Sequence, residues 1–321
     1  MAMPTADTLP YLSAAVLDRL TISTSDIVGE IERQIEGQKR GEVWCAPKAT
    51  VLPGDDRYIM ATLGVATEPR LIATKSLVVN ERNAARGLPT LNSLITLLDA
   101  ETGLPLALVD GNWVTVKRTA GLSAVAARRL ARSESTVAAF IGCGAQARGH
   151  LEAFADLFPL REIRAFGRGA SNRDALCQLA RSRGLAAIPS ETAQAAVDGA
   201  DIVVTTLPLV PAPVPFLDAR WLRSGSFVAM VDLALPWLPE TMASFDRIVI
   251  DDLAQEAAMV KPMIKPELVA GDLTGLVCGD VPGRQSASER TTFAFRGMAV
   301  GDLAVSGLCY VRAKASGVFA A

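Results

Sequence analysis

The run Thr136-Val137-Ala138-Ala139-Phe140-Ile141-Gly142-Cys143-Gly144-Ala145-Gln146-Ala147 carries the clearest chemistry in the chain. It reads as a buried strand, a G-x-G-x-x-A turn and a helix from about Gln146 to Phe158. The first glycine permits the tight turn, and the second lets backbone N–H groups reach a pyrophosphate at the positive end of the helix. The alanine lets helix and strand pack closely. The ligand this implies is a dinucleotide. Cys143 reads as a small residue at a permissive loop position, and the single His150 cannot by itself make a zinc site or a proton relay. Asp251-Asp252 lacks a third spaced ligand, so solvation or a helix N-cap is expected there, with no metal.

Elements that alternate in type surround this turn. Ile22 to Gln38 has apolar residues near helical spacing and reads as a surface helix. Gly41 to Asp110 is strand-rich, with extended candidates at 57–63, 71–79, 91–98 and 104–109, the last following the Glu101-Thr102-Gly103 turn. Thr119 to Ala131 is helical in pattern and leads into the glycine-turn strand. Beyond the turn come a strand at Glu162–Phe166, a helix at about Arg173–Arg183, and strands at 202–206, 226–231 and 247–250. So many apolar strands separated by helices imply a parallel sheet covered on both faces. The Ala-rich tail, Gly297 to Ala315, is helical in pattern. The fold class expected is α/β. A Rossmann-type nucleotide-binding domain at 122–295 is joined by a discontinuous α+β domain made of 1–121 and 296–321.

Composition excludes several classes. The chain has 321 residues, half of them hydrophobic, and a formal net charge of −2, which gives no general attraction to nucleic acid or anionic lipid. Arg128, Arg129 and Arg132 form a small basic cluster without the aromatic interleaving of a nucleic-acid surface. No apolar run reaches the roughly 18 residues needed to span a bilayer. Met1–Pro10 lacks the basic-then-apolar order of a secretory signal. Five scattered cysteines without a C-x-x-C pair suggest reduced thiols and a cytoplasmic protein.

The chain resembles the ornithine cyclodeaminase and mu-crystallin family across nearly its whole length. The resemblance is carried by Lys75 with Asn80, Gly87-Leu88-Pro89-Thr90, and Asp99 to Gly103 followed by Leu104-Pro105. It is carried also by Thr115-Val116-Lys117-Arg118-Thr119-Ala120, the glycine turn, Gly283-Arg284, and Gly297-Met298-Ala299-Val300-Gly301-Asp302-Leu303-Ala304. It implies a two-domain NAD(P)-dependent homodimer, whose first domain, completed by the C-terminal helix, binds substrate and forms the subunit interface. It also implies hydride exchange at the carbon alpha to a carboxylate. The family spans cyclodeaminases, alanine dehydrogenases, reductases of cyclic and open-chain 2-imino acids, and thyroid-hormone-binding mu-crystallins, so fold alone does not settle the activity.

Within that resemblance, Arg118 suits a clamp on the substrate carboxylate, because a guanidinium pairs bidentately with it. The alternative for Arg118 is a core or interface ion pair. Lys75, following largely apolar residues, is expected to point into a cleft and supply or hold a proton at the imine nitrogen. A stem lying on the surface is its alternative. Lys48 stands near the position of a family arginine and reads as a second, looser carboxylate contact or as a solvated lysine. The family's Gly-x-Asp-x-Pro appears here as Asp232-Leu233-Ala234-Leu235-Pro236, so Ala234 takes the place of the aspartate that holds the substrate amine. Cyclodeamination, which needs a second amine held, is thereby disfavoured, and Asp232 becomes the catalytic candidate. Arg296 replaces a serine common in relatives; facing the cleft, it would take a second carboxylate, as in the reduction of iminosuccinate to aspartate. Thr119, Gly142, Gly144, Ala145, Gln146, Thr206, Leu207 and Val231 are the expected cofactor contacts. Phe166-Gly167-Arg168-Gly169 has no acidic residue for the ribose hydroxyls, so Arg168 is expected to receive a 2′-phosphate, favouring NADPH over NADH. The function expected is NAD(P)H-dependent reduction of a small 2-imino acid.

Overall fold

A computed structural model describes residues 9–208 and 214–318; Met1–Thr8 of the stretch read for a leader lie outside the described residues. In chain order the elements are β1 (Tyr11–Leu12), α1 (Ala14–Arg19), α2 (Thr24–Arg40), β2 (Val43–Cys45), β3 (Ala49–Val51), β4 (Tyr58–Thr67), β5 (Arg70–Val79), β6 (Leu91–Asp99), β7 (Pro105–Asp110) and α3 (Gly111–Leu130). There follow β8 (Val137–Ile141), α4 (Ala145–Leu157), β9 (Glu162–Phe166), α5 (Ala170–Ser182), β10 (Ala186–Pro189), α6 (Ala193–Val197), β11 (Ile202–Thr205) and β12 (Phe227–Met230). The last are β13 (Arg247–Ile250), α7 (Leu253–Ala257), β14 (Val269–Asp272), α8 (Leu273–Cys278), β15 (Thr291–Ala294) and α9 (Ala299–Ala315). Contacts divide the chain into a first unit, 1–118 with 298–321, and a second, 119–297. The sequence places these boundaries at 121/122 and 295/296.

The first unit is built on a mixed sheet of order β1-β7-β6-β5-β4-β2, with β3 also paired to β4. Strands β4 to β7 run as an antiparallel meander, and β1 adds in parallel to β7. Side chains alternate across a strand, so Met60, Thr62 and Ala66 on β4 and Leu71, Ala73, Lys75 and Leu77 on β5 share the buried face. Helix α9 packs on β4 and β5, and α2 packs on α9. Gly64 permits the close approach: a Cβ there would stand 3.3 Å from Leu303. Helix α2 starts at a capping box, with the Ser23 hydroxyl accepting from Asp26 N–H and the Asp26 carboxylate accepting from Ser23 N–H.

Helix α3 begins eight residues before the expected Thr119. Trp113, Val114, Thr115 and Val116 are poor helix formers by themselves and mask its start in the sequence. The start is fixed instead by Asp110, whose Oδ1 accepts from Trp113 N–H at 2.9 Å. Gly111 has no room for a side chain, since a Cβ would meet Ser93 at 2.2 Å. Arg118 thereby lies on a helix rather than in a connecting segment.

The second unit is an all-parallel sheet of order β10-β9-β8-β11-β12-β15-β13-β14. From β10 to β12 this is the doubly wound order, reversing direction between β8 and β11. Strands β11, β12 and β15 are buried along their whole length, as a sheet covered on both faces requires. The expected strands at 162–166, 202–206, 226–231 and 247–250 are present to within a residue, but β10, β14 and β15 were not anticipated. β15 is central because its threonine hydroxyls are satisfied: Thr291 Oγ1 donates to Leu130 O at 2.7 Å and Thr292 Oγ1 to Val228 O at 3.0 Å. No helix among the described residues is long and apolar enough to cross a membrane.

Candidate functional site

Two clusters of polar side chains stand out, one in each unit. In the first unit the sheet and α9 enclose a carboxylate shared by two cations. Lys75, in the middle of β5, is fully buried, and its Nζ lies 2.6 Å from Asp302 Oδ1. Thr62, the cross-strand partner of Lys75 on β4, donates its hydroxyl to Asp302 Oδ2 at 3.0 Å. Arg118 places Nε 3.0 Å from the same Oδ1. That contact is an ion pair rather than a directed hydrogen bond, because Nε has no well-aligned acceptor. The two terminal nitrogens of the guanidinium have no hydrogen bond among the described residues, so its fork is available to a planar anion.

The charges are unequal in number, and that sets the protonation states. Burial would push the Asp302 carboxyl up, but Lys75 and Arg118 outweigh it and hold the group below the ordinary carboxylate range. Burial, then repulsion from Arg118, lowers the Lys75 ammonium to about 7, against the pull of Asp302; Lys48 adds further repulsion. One carboxylate serving two cations is over-compensated, while each cation is under-compensated, so both partners move down. Lys75 is thus an ammonium able to give up its proton near neutrality. Half-buried Lys48 is close enough to act on it electrostatically.

In the second unit the glycine turn has the geometry that a pyrophosphate needs. Gly142 sits at φ 89°, and a Cβ there would meet Thr206 O at 2.7 Å. Gly144 is the N-cap of α4 with no side-chain cap, and its Cβ direction is open. No N-cap side chain therefore stands over the first turn of α4, the end of a helix where an anion is favoured. Thr206 Oγ1 donates to Gly142 O at 3.3 Å, tying the end of β11 to the turn. A cavity of about 210 Å³ opens beside it, lined among others by Phe166, Gly167, Arg168, Leu207, Pro208 and Asp232. These features fit a dinucleotide.

Several expected residues take definite places in this second unit. Arg168 is exposed on the β9–α5 turn. Val231 continues β12, donating its N–H to Thr205 O at 2.9 Å, and Thr119 is buried on α3. Asp232 is fully buried, and its oxygens accept from Thr205 Oγ1 at 2.8 Å and Leu207 N–H at 3.1 Å. Burial raises its carboxyl to about 6, against these hydrogen bonds. Leu233 and Ala234 follow in the left-handed region, at φ 60° and 56°, unusual for residues with a Cβ. Arg296 is engaged: Nε pairs with Glu256 Oε2 at 2.6 Å and Nη2 donates to Lys261 O at 2.9 Å. Asp251 Oδ2 accepts from Arg296 N–H and Gly297 N–H, and Asp252 caps α7. Burial lifts the Cys143 thiol to about 11, so it is no nucleophile at neutral pH.

Three members of these clusters were not among the expected site residues. Asp302 lies in the 297–304 segment that carries the family resemblance and is the one carboxylate of α9, whose N-cap is Met298. Thr62 and Thr205 carried no signal beyond an inward position on a strand.

The model of the ornithine cyclodeaminase/mu-crystallin family matches residues 11–317. A putative dehydrogenase of Rhizobium meliloti (strain 1021) is 36% identical over 87% of this chain and 83% of its own. The alanine dehydrogenase of Archaeoglobus fulgidus is 32% identical over 74% of this chain and 75% of its own. A solved archaeal alanine dehydrogenase dimer with bound NAD superposes with a TM-score of 0.85 at 27% identity, covering 96% of this chain and 97% of that one.

Proposed function

The chain belongs to the ornithine cyclodeaminase/mu-crystallin family, and from that membership and the two clusters we propose an NAD(P)H-dependent oxidoreductase that reduces small 2-imino acids to amino acids. The observation that carries the proposal is Lys75, buried beside Asp302 with an ammonium near neutrality and next to a guanidinium whose fork is unclaimed. Similarity to the alanine dehydrogenase of Archaeoglobus fulgidus supports chemistry at a carbon–nitrogen bond.

A nicotinamide cofactor, when bound, would supply the hydride. Arg118 grips the substrate carboxylate through its terminal nitrogens, and Lys48 gives a second, looser contact. Lys75 keeps the imine nitrogen protonated, so the alpha carbon is electrophilic. That carbon then accepts the hydride, and the product is the amino acid. The two charges nearest the substrate carboxylate are positive, and Asp302 cancels only one of them, so the first unit favours an anion. Gly144, Ala145 and Gln146 would hold the pyrophosphate through their backbone, and Thr119, Thr206, Leu207 and Val231 would hold the remainder of the cofactor. Arg168 takes the 2′-phosphate, so NADPH is preferred.

Among substrates, an open-chain monocarboxylic imine fits best. Ala234 offers no carboxylate for a second amine, which argues against cyclodeamination. A dicarboxylic imine such as iminosuccinate needs another cation. Arg296 is neutralised by Glu256, which leaves that part to Lys48. The protein acts as a homodimer through the face of its first sheet that points away from α9. There Trp44, Val65, Ile72 and Leu98 are register partners in a continuous row, and Trp44, Leu63 and Leu94 are exposed by 54%, 42% and 40%.

The test is cofactor oxidation by the purified protein with 2-keto acids plus ammonia or methylamine, beside preformed cyclic imines. Oxidation of NADPH or NADH with open-chain substrates is expected. Tight cofactor binding with no turnover on any imine would replace the enzyme with a mu-crystallin-like binding protein.

A further inference from the structure

Asp232 is a buried carboxylate that the proposed chemistry does not use. It follows β12, beyond the reversal point, where the strand order assigns the nicotinamide half of a dinucleotide, and it lines the same cavity as the Phe166–Arg168 turn. Its side chain is committed at both oxygens, to Thr205 Oγ1 and Leu207 N–H, and it forms part of the cavity wall. These donors are neutral. No charged group contributes to the displacement of its carboxyl, and Arg168 is the other charged side chain lining the cavity. A negative charge fixed in a poorly screened wall interacts strongly with a charge placed beside it. The nicotinamide ring is cationic when oxidised and neutral when reduced.

We propose that Asp232 is a cofactor-selectivity residue whose carboxylate, held by Thr205 and Leu207, favours the oxidised ring over the reduced one. The proposal rests on the dinucleotide reading of the second unit but not on the identity of the imine. Its consequence is linkage between proton binding and the redox state of the bound cofactor. Burial places the titration of Asp232 near 6. Above that pH the carboxylate is charged and draws the cationic ring in; below it, protonation removes the preference and the neutral ring gains relatively. Binding of the oxidised form holds Asp232 ionised to lower pH, and binding of the reduced form does not.

Equilibrium binding on the full chain tests this without turnover. Dissociation constants for NADP⁺ and NADPH, and for NAD⁺ and NADH, would be measured by fluorescence titration from pH 5 to pH 8. In the wild type the ratio of the oxidised-form to the reduced-form constant should fall by about tenfold or more as pH rises. Asp232→Asn should make the ratio flat. Thr205→Val removes one hydrogen bond to the carboxylate and should move the midpoint to higher pH, which keeps the test available if Asp232→Asn folds poorly. A wild-type ratio that changes by less than about twofold, or an Asp232→Asn profile matching the wild type, would overturn the inference while leaving the cofactor site intact. Failure to bind any of the four nucleotides would instead overturn the dinucleotide reading itself.

Discussion

Replacing Asp302 with asparagine removes the charge on which the first unit's cluster is organised and keeps its shape. Lys75 Nζ is 2.6 Å from the carboxylate and Arg118 Nε 3.0 Å, with all three side chains buried. In the wild type the fall of the Lys75 ammonium from 10.5 to about 7 corresponds to roughly 5 kcal/mol at about 1.4 kcal/mol per pH unit. That figure is the order of magnitude of holding this lysine charged in the folded protein. Losing an opposite charge in contact lowers an ammonium by a further one to three pH units or so. The kcat/KM profile for an imine should therefore lose its alkaline limb about one to three units earlier. KM should rise because Arg118 is no longer anchored. Stability follows the same sign. The folded pKa of Lys75 is below the unfolded one, so the unfolded state binds more protons between about 7 and 10.5 and wild-type stability rises with pH across that window. In Asp302→Asn the rise begins at lower pH. At pH 5, where Arg118 and the still-protonated fraction of Lys75 lack a counterion, the cost should be about 3–5 kcal/mol, shrinking as pH rises and Lys75 deprotonates. Denaturant titrations at pH 5 and pH 8.5, with rate profiles, measure both effects. An unchanged alkaline limb, or equal destabilisation at the two pH values, would show that Asp302 does not hold the charge of Lys75.

Other perturbations probe the glycine turn, the Arg168 position and the open face of the first sheet. Gly142→Ala places a Cβ 2.7 Å from Thr206 O at a positive φ, so nucleotide affinity should fall more than about a hundredfold (about 3 kcal/mol) in a titration with either cofactor. Arg168→Ser should raise KM for NADPH about tenfold or more and leave KM for NADH within about twofold; equal effects on both would remove the 2′-phosphate role. Leu63→Arg, on the open face of the first sheet, should shift the sedimentation profile from dimer towards monomer without loss of helical signal.

The nucleotide-binding half was legible because its strands are buried on both faces and read as apolar runs, and because glycine and alanine at fixed spacing encode backbone geometry directly. The strands β10, β14 and β15 were not. Ala186–Pro189 and Val269–Asp272 are short edge strands ending in breakers, and β15 hides in a polar stretch whose threonines become apolar only once their hydroxyls find carbonyl oxygens. Lys75 stood out as a cation at an inward strand position. Its partner Asp302 lies 227 residues away, and nothing local in either segment announces the pairing. Asp232 and Arg296 show the same limit from the other side. Their types suggested chemistry, but burial with Thr205 and a salt bridge to Glu256 depend on contacts formed by distant elements.

Single-turnover kinetics measure the proposed role of Lys75 in imine reduction. Wild type and Lys75→Met, each loaded with NADPH, would be mixed with the imine of a small 2-keto acid while cofactor absorbance is followed. Oxidation by the wild type should slow as pH rises through about 7, and a Lys75→Met protein that still binds NADPH should oxidise it at least about a hundredfold more slowly (about 3 kcal/mol). Equal single-turnover rates in the two proteins would contradict that role.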